Sequence, residues 1–280
     1  MRKPEKIEIS ESRFESNNLR FLTIKTTSLE GRGDCCVFVP PGLKQDASCP
    51  VVILLHGVYG SAWSWPLRAG VHLTVMKLIN EGRLPNMVLA MPSDGLWGDG
   101  SAYLPHNSRN FEHWIASDIP AAMKQMIPGV TAGSPFFISG LSMGGFGSLR
   151  IGAKYNEKFS AVAAHSAITS LSQMSLFVEE ELSNYEQQNV TDEDVFLTFQ
   201  NHRHQLPPIY FDCGLDDQLL SYNRELHQRM NENNIPHIYK EFEGGHQWPY
   251  WEKNILNSLF FFKENLSDQG NDRTIQVYQP

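Results

Sequence analysis

A chain of 280 residues, 41% hydrophobic and 19% charged, can bury a sizeable core, and its length fits one large α/β domain better than two small ones. A formal charge of −8, with no run of Lys or Arg longer than a pair, argues against nucleic acid or an anionic membrane surface as a partner. Met1–Ser10 lacks the apolar core of a signal peptide and no stretch reaches transmembrane length, so the expectation is a cytoplasmic protein without a membrane partner.

In chain order, residues 7–39 alternate apolar and polar in places (Ile7-Glu-Ile9, Leu22-Thr-Ile24) between Gly, Asn and Ser turns. That pattern predicts antiparallel opening strands, the third at Cys35–Val39. Adjacent Cys35 and Cys36 would face opposite sides of that strand. With Cys49 and Cys213 they are too few and too scattered for a disulfide framework, which fits reduced thiols. Val51–Leu55 is an unbroken apolar run, the mark of a parallel strand buried on both faces, and it ends in His56-Gly-Val-Tyr-Gly60. A helix is expected over Leu67–Glu81, then a second buried strand at Met87–Met91 running into a loop rich in Gly, Asp and aromatics.

Asn110–Met126 has apolar residues at helical spacing, with Pro120 expected to break or kink it. Further strands are expected at Phe136–Ile138, Phe159–His165, Pro207–Cys213 and Ile235–Phe242, with helices at Gly144–Tyr155, Leu219–Asn233 and Trp248–Asn265. Strands alternating with helices imply βαβ units and a mostly parallel sheet. Residues 167–206 interrupt the rhythm with a polar, acidic helical stretch at Phe177–Gln187 and a second helix opened by Thr191-Asp-Glu-Asp194. An insertion there would sit at the carboxyl edge of the sheet, where ligands bind, and is read as a small cap. One domain over 1–266 is expected, followed by a polar tail at 267–280.

The chain's chemistry centres on Gly140-Leu-Ser-Met-Gly144, a G-x-S-x-G pattern between a strand and a helix. The glycines let the strand turn sharply into the helix and leave Ser142 exposed on a strained corner. Serine is a weak nucleophile and needs a base oriented by an acid, found in chain order Ser, Asp or Glu, His on this kind of elbow. Of the downstream histidines, His246 follows the last strand and precedes the closing helix, where a base can hang over the elbow. His165, His227 and His237 lie within regular elements and His202 and His204 in the insertion, so structural or surface roles fit them better. For the acid, Asp216 and Asp217 share the turn after Asp212; spacing from Gly214 selects Asp217, with Asp216 open as the alternative. Two backbone donors for an oxyanion are expected from Met143 N–H, after the serine, and Val58 N–H, in the early-strand loop, with His56 ordering that loop. Tyr59, Trp97, Tyr103 and Trp248 are candidates for the pocket wall.

Leu54-Leu-His-Gly57, Gly140-Leu-Ser-Met-Gly-Gly145, Cys213-Gly-Leu-Asp-Asp217 and Gly244-Gly-His-Gln-Trp248, in this order and spacing, resemble the esterase D family of α/β-hydrolases. That group includes S-formylglutathione hydrolases, tributyrin-type carboxylesterases, feruloyl and acetylxylan esterases, and mycolyltransferases. The resemblance covers nearly the whole chain. It implies an α/β-hydrolase fold with helices on both faces, and a triad of Ser142, Asp217 and His246. It further implies a small-molecule ester substrate and no metal or cofactor, and it allows a homo-oligomer. Formylglutathione hydrolases usually carry a different oxyanion loop and a histidine after the double glycine. Here the loop is His56-Gly57 and Phe146 follows Gly145, which moves the expectation toward esterases of short acyl, carbohydrate or phenolic groups.

Overall fold

Three strands, β1 (Lys6–Ile9), β2 (Leu19–Thr26) and β3 (Gly31–Phe38), pair antiparallel in sequence order in this computed structural model, which describes residues 6–267. Their alternation has a direct physical cause: Leu22 and Ile24 face the core while Lys25 faces outward. β3 starts earlier than expected, at Gly31, because its first residues complete the hairpin with β2. It then pairs antiparallel with β5 (Val88–Pro92).

Beyond that strand the sheet is parallel, through β4 (Val51–Leu55), β8 (Phe136–Leu141), β9 (Ala161–His165), β10 (Ile209–Gly214) and β11 (Ile238–Phe242). The order across nine strands is β1-β2-β3-β5-β4-β8-β9-β10-β11. The short β6 (Pro105–His106) and β7 (Arg109–Asn110) form a separate ribbon. Every residue of β4 is buried because β5 and β8 flank it and helices cover both faces, which accounts for its unbroken apolar sequence.

One face is covered by α1 (Ser64–Arg68), α2 (Val71–Asn80) and α8 (Trp248–Ser267), through Trp65, Val75, Trp251, Leu259 and Phe262. On the other face lie α3 (Phe111–His113), α4 (Ile119–Met126), α5 (Met143–Lys154), α6 (Val195–Asn201) and α7 (Leu220–Glu232). This is the mostly parallel sheet with antiparallel opening strands that the sequence implies. The segment expected as one helix over Leu67–Glu81 is two, α1 and α2, divided at Gly70, whose φ of +57° suits glycine. At Asn110–Met126 the expected break is a π turn, Trp114–Asp118, directly ahead of Pro120, which sits in the first turn of α4 where its missing N–H costs little.

The insertion at 167–206 departs further from expectation. Phe177–Gln187 is not helical apart from one 3-10 turn at Leu182–Asn184. Its polar groups are engaged elsewhere: Glu180 accepts from Asp99 N–H (2.8 Å), and the Gln187 amide donates to the Pro105 carbonyl (3.0 Å). Tertiary hydrogen bonds to the 94–106 loop replace helical ones. The second helix does form, as α6, capped by the Asp194 carboxylate accepting from Leu197 N–H (2.8 Å). Buried Arg150 on α5 pairs with Glu112 of α3 (3.1 Å), and Lys154 bridges Glu112 (3.0 Å) and Asp192 (2.9 Å), so the helix after Ser142 is tied to both α3 and the insertion. The expected polar tail lies, past Ser267, outside the described residues.

Candidate active site

The carboxyl ends of β4, β8, β9, β10 and β11 share one edge of the sheet, and each contributes to a single cluster. Between β8 and α5 the backbone reverses at Ser142, with φ +54° and ψ −120°, a conformation costly for a residue carrying a Cβ. Its N–H donates to the His165 carbonyl (3.0 Å) and its carbonyl accepts from Ile168 N–H (3.2 Å), which hold the corner in place. Gly144 is required by crowding: a methyl there would stand 2.5 Å from the Leu55 carbonyl oxygen and 2.6 Å from that of His56.

The acid and base loops leave β10 and β11 side by side. Leu215 N–H donates to the Phe242 carbonyl (2.9 Å) and Asp216 N–H to the Gly244 carbonyl (2.9 Å), with Gly244 at φ +122°. This pairing delivers His246 to Ser142. The imidazole Nε2 lies 3.0 Å from Ser142 Oγ, while Nδ1 lies 3.0 and 3.1 Å from the two carboxylate oxygens of Asp217. The two acids left open by spacing separate by burial: Asp216 is exposed and Asp217 is buried. Burial alone would raise the Asp217 carboxyl, but hydrogen bonds from His246, Leu219 N–H (2.8 Å) and Ser166 outweigh it and hold the group below its ordinary range.

The loop after β4 closes the other side. A methyl on Gly57 would stand 3.2 Å from Ser142 Cβ, so the loop is packed against the serine. The side chains of Val58 and Met143 meet around Gly100, so the two residues expected to supply backbone donors are brought to the same place. His56 is buried, and its Nε2 accepts from Asp94 N–H (3.0 Å), which puts its proton on Nδ1 for the Gly57 carbonyl (2.7 Å). A neutral imidazole thus has both nitrogens occupied in ordering the loop.

The expected pocket aromatics fall into different roles. Tyr103 is a correction: it is fully buried and its hydroxyl donates to the His56 carbonyl (3.0 Å), so it buttresses the loop from beneath instead of lining a pocket. Trp97 is half-buried, edge-on to His106 and Tyr185, and wedges the 94–106 loop against the insertion. Trp248 packs edge-on to Trp65 and Trp251. Tyr59, at 67% exposure, stands at the rim and donates to Asp99 (3.2 Å). Two residues that the sequence reading missed touch the base directly: Phe177 of the insertion stacks on His246 (5.0 Å, 29°), and Trp251 meets it edge-on (5.0 Å, 90°). Phe177 carries no local signal, but Trp251 lies in the first turn of the helix that His246 precedes.

A second Ser–His–Asp arrangement lies beneath. His165 Nδ1 faces both oxygens of Asp212 (3.0 Å each), its Nε2 is 2.8 Å from Ser258 Oγ, and the hydroxyls of Tyr210 and Tyr250 donate to Asp212 (2.8 Å each). Ser258, His165 and Asp212 are all sealed from solvent, so this set fastens β9, β10 and α8 together and has no access to a substrate. His227 and His237 bond to each other (2.7 Å) away from the cluster. All four cysteines are free and buried, and burial pushes the Cys36 and Cys49 thiols up to about 12, so they do not compete as nucleophiles. Among the described residues, no three His, Cys, Asp or Glu side chains are grouped to hold a metal ion, and no helix is long and apolar enough to cross a membrane.

Comparison with known proteins finds esterases. The chain is 28% identical over 233 residues to an acetyl esterase of Caldicellulosiruptor saccharolyticus, covering 77% of this chain and 83% of that one. Over a shorter stretch it is 28% identical to the esterase Rv1288 of Mycobacterium tuberculosis, covering 39% of this chain and 30% of that one. Among solved structures, a ferulic acid esterase superposes with a TM-score of 0.77 at 22% identity, covering 93% of this chain and 99% of that one. An S-formylglutathione hydrolase from Agrobacterium tumefaciens gives 0.76 at 17% identity, covering 95% and 100%. These likenesses show the α/β-hydrolase fold. Residues 26–262 match the Esterase family, described as Putative esterase, and the chain therefore belongs to that family of carboxylic ester hydrolases.

Proposed function

We propose that this chain hydrolyses small carboxylic esters through a Ser142–His246–Asp217 triad and an acyl-enzyme intermediate, with short-chain acyl, carbohydrate or phenolic esters as its substrate class. The observation that carries the reading is the continuous run of contacts from Ser142 Oγ to His246 Nε2 (3.0 Å) and from His246 Nδ1 to Asp217 (3.0 Å), on a strained strand-to-helix corner.

His246 takes the Ser142 proton as Oγ attacks the ester carbonyl, and the oxyanion is held by the Met143 and Val58 N–H groups. The C–O bond to the alcohol breaks as His246 returns the proton to the leaving oxygen. Water, deprotonated by His246, then attacks the acyl-enzyme and releases the acid and Ser142. Asp217 stays ionised throughout and holds the imidazole with Nε2 toward the serine. The depressed carboxyl of Asp217 suits that role, since it carries its charge across the neutral range.

The substrate class draws on similarity to the acetyl esterase and on the rim. Asp99, Glu179 and Glu180 surround Tyr59 at the edge of the oxyanion loop, with Asp99 accepting from both Tyr59 and Glu179 N–H. Like-charge repulsion there disfavours anionic esters such as glutathione conjugates and favours neutral ones. The test is a panel of acyl donors: p-nitrophenyl acetate, an acetylated sugar, a feruloyl ester and formyl-glutathione. Higher kcat/KM for the neutral esters is expected. Preference for formyl-glutathione would overturn the substrate class, and net transfer to an added alcohol in place of hydrolysis would overturn water as the acceptor.

A further inference from the structure

The triad uses the nitrogens at the edge of the His246 ring and leaves its faces to other contacts. Nε2 meets Ser142 Oγ (3.0 Å) and Nδ1 meets the two Asp217 oxygens (3.0 and 3.1 Å). Phe177 lies over a face: the ring centroids are 5.0 Å apart and the planes are inclined by only 29°, an offset stack. The backbone that carries Phe177 is pinned on both sides. Phe177 N–H and Val178 N–H donate to the carbonyl of buried Met174 (2.9 and 3.1 Å). Glu179 N–H donates to the Asp99 carboxylate (2.8 Å), and Asp99 N–H donates back to Glu180 (2.8 Å). The Asp99 carbonyl also accepts from Tyr59 N–H (2.9 Å), which joins this part of the insertion to the oxyanion loop.

We propose that Phe177 is a positioning residue for the base, its ring face stabilising the imidazolium that His246 becomes in each transition state. The inference rests on the triad reading given above. His246 gains a proton as Ser142 Oγ attacks the ester, and again as water attacks the acyl-enzyme. The negative face of an aromatic ring attracts a cation within about 6 Å of its centroid, and the 5.0 Å stack falls inside that range. The attraction grows as the positive charge develops, so it favours the transition state over the bound substrate and acts on kcat. Asp217 answers the charge from the ring edge and Phe177 answers it from the face. Trp251, at 90° to the imidazole (5.0 Å), limits tilting of the ring, so that stack and hydrogen bonds hold together.

The decisive variant is Phe177→pentafluorophenylalanine, introduced by nonsense suppression, because fluorine reverses the charge of the ring face with little change of shape. The expected result is kcat and kcat/KM both lower by about three- to tenfold, with KM unchanged. The factor should be the same for acetyl and feruloyl esters, since the base serves every substrate. Phe177→Tyr keeps the ring face and should stay within about twofold of wild type; Phe177→Leu, apolar without a π face, should fall between the two. Rates are expressed per Ser142 titrated with a fluorophosphonate, so that any unfolded fraction does not count. Wild-type rates in the pentafluorophenylalanine variant would overturn the inference. So would a loss confined to one ester or to KM, which would make Phe177 a wall of the substrate pocket. Full activity in Ser142→Ala would instead overturn the triad reading beneath it.

Discussion

Replacing Asp217 by Asn tests the electrostatic logic of the site while changing almost no volume. The Asn oxygen can still accept from Leu219 N–H, now at 2.8 Å, so the turn after β10 should persist. The amide nitrogen, however, replaces an oxygen that lies about 3 Å from His246 Nδ1. That N–H then opposes Nδ1–H, and the remaining oxygen, 3.1 Å from Nδ1, is already engaged by Leu219 N–H, so the imidazole is drawn to move its proton to Nε2. In that tautomer Nε2 no longer accepts from Ser142 Oγ, 3.0 Å away, and the general base is lost. The expected fall in kcat is on the order of 10⁴-fold. Loss of the charge-assisted bonds should also cost about 2 kcal/mol of stability. The assay is p-nitrophenyl acetate hydrolysis at saturation, with thermal unfolding in parallel. Asp216→Asn, on an exposed side chain, should stay within about twofold of wild type. If Asp217→Asn kept a tenth of the wild-type kcat while Asp216→Asn lost it, the assignment of the acid would be refuted.

Gly144→Ala should push the His56–Val58 loop away from Ser142, because the new methyl would meet backbone oxygens at 2.5 and 2.6 Å that cannot move aside alone. A kcat loss of about 10²–10³-fold, the usual effect of losing one oxyanion donor, is expected together with about 1–3 kcal/mol of destabilisation. Kinetics and denaturant unfolding check both. On pH, the Asp217 carboxyl lies below its ordinary 3.8 in the folded chain, so it binds fewer protons folded than unfolded. Its stabilising contribution is therefore present above that value and is lost as pH falls through the folded-state value. The stability gap between wild type and Asp217→Asn should be constant above about pH 5 and narrow below about pH 4, as measured by urea unfolding across that range.

What the sequence makes legible follows from what is local. The unbroken run of β4, the elbow around Ser142 and the two terminal loops with Asp217 and His246 announce themselves through composition and spacing, because strand burial and tight turns restrict which residues fit. Separating Asp217 from Asp216 needed burial, which depends on how the Gly244–His246 loop lies against the turn. Phe177–Gln187 reads as helical because its composition suits a helix, yet hydrogen bonds to a loop some 80 positions away decide its shape. Tyr103 lies in a loop beside a core strand, and only the fold shows it supporting His56 from below. Phe177 and Trp251 escape for the same reason, since each reaches the site by tertiary contact.

The central claim is that Ser142 is the nucleophile, and Ser142→Ala tests it most directly. The residue's N–H and carbonyl bonds to His165 and Ile168 involve only backbone and survive the change, so the fold should be retained. Turnover of p-nitrophenyl acetate should fall by on the order of 10⁴-fold or more, with no covalent labelling by a fluorophosphonate. A folded Ser142→Ala protein hydrolysing that ester at the wild-type rate would contradict the account.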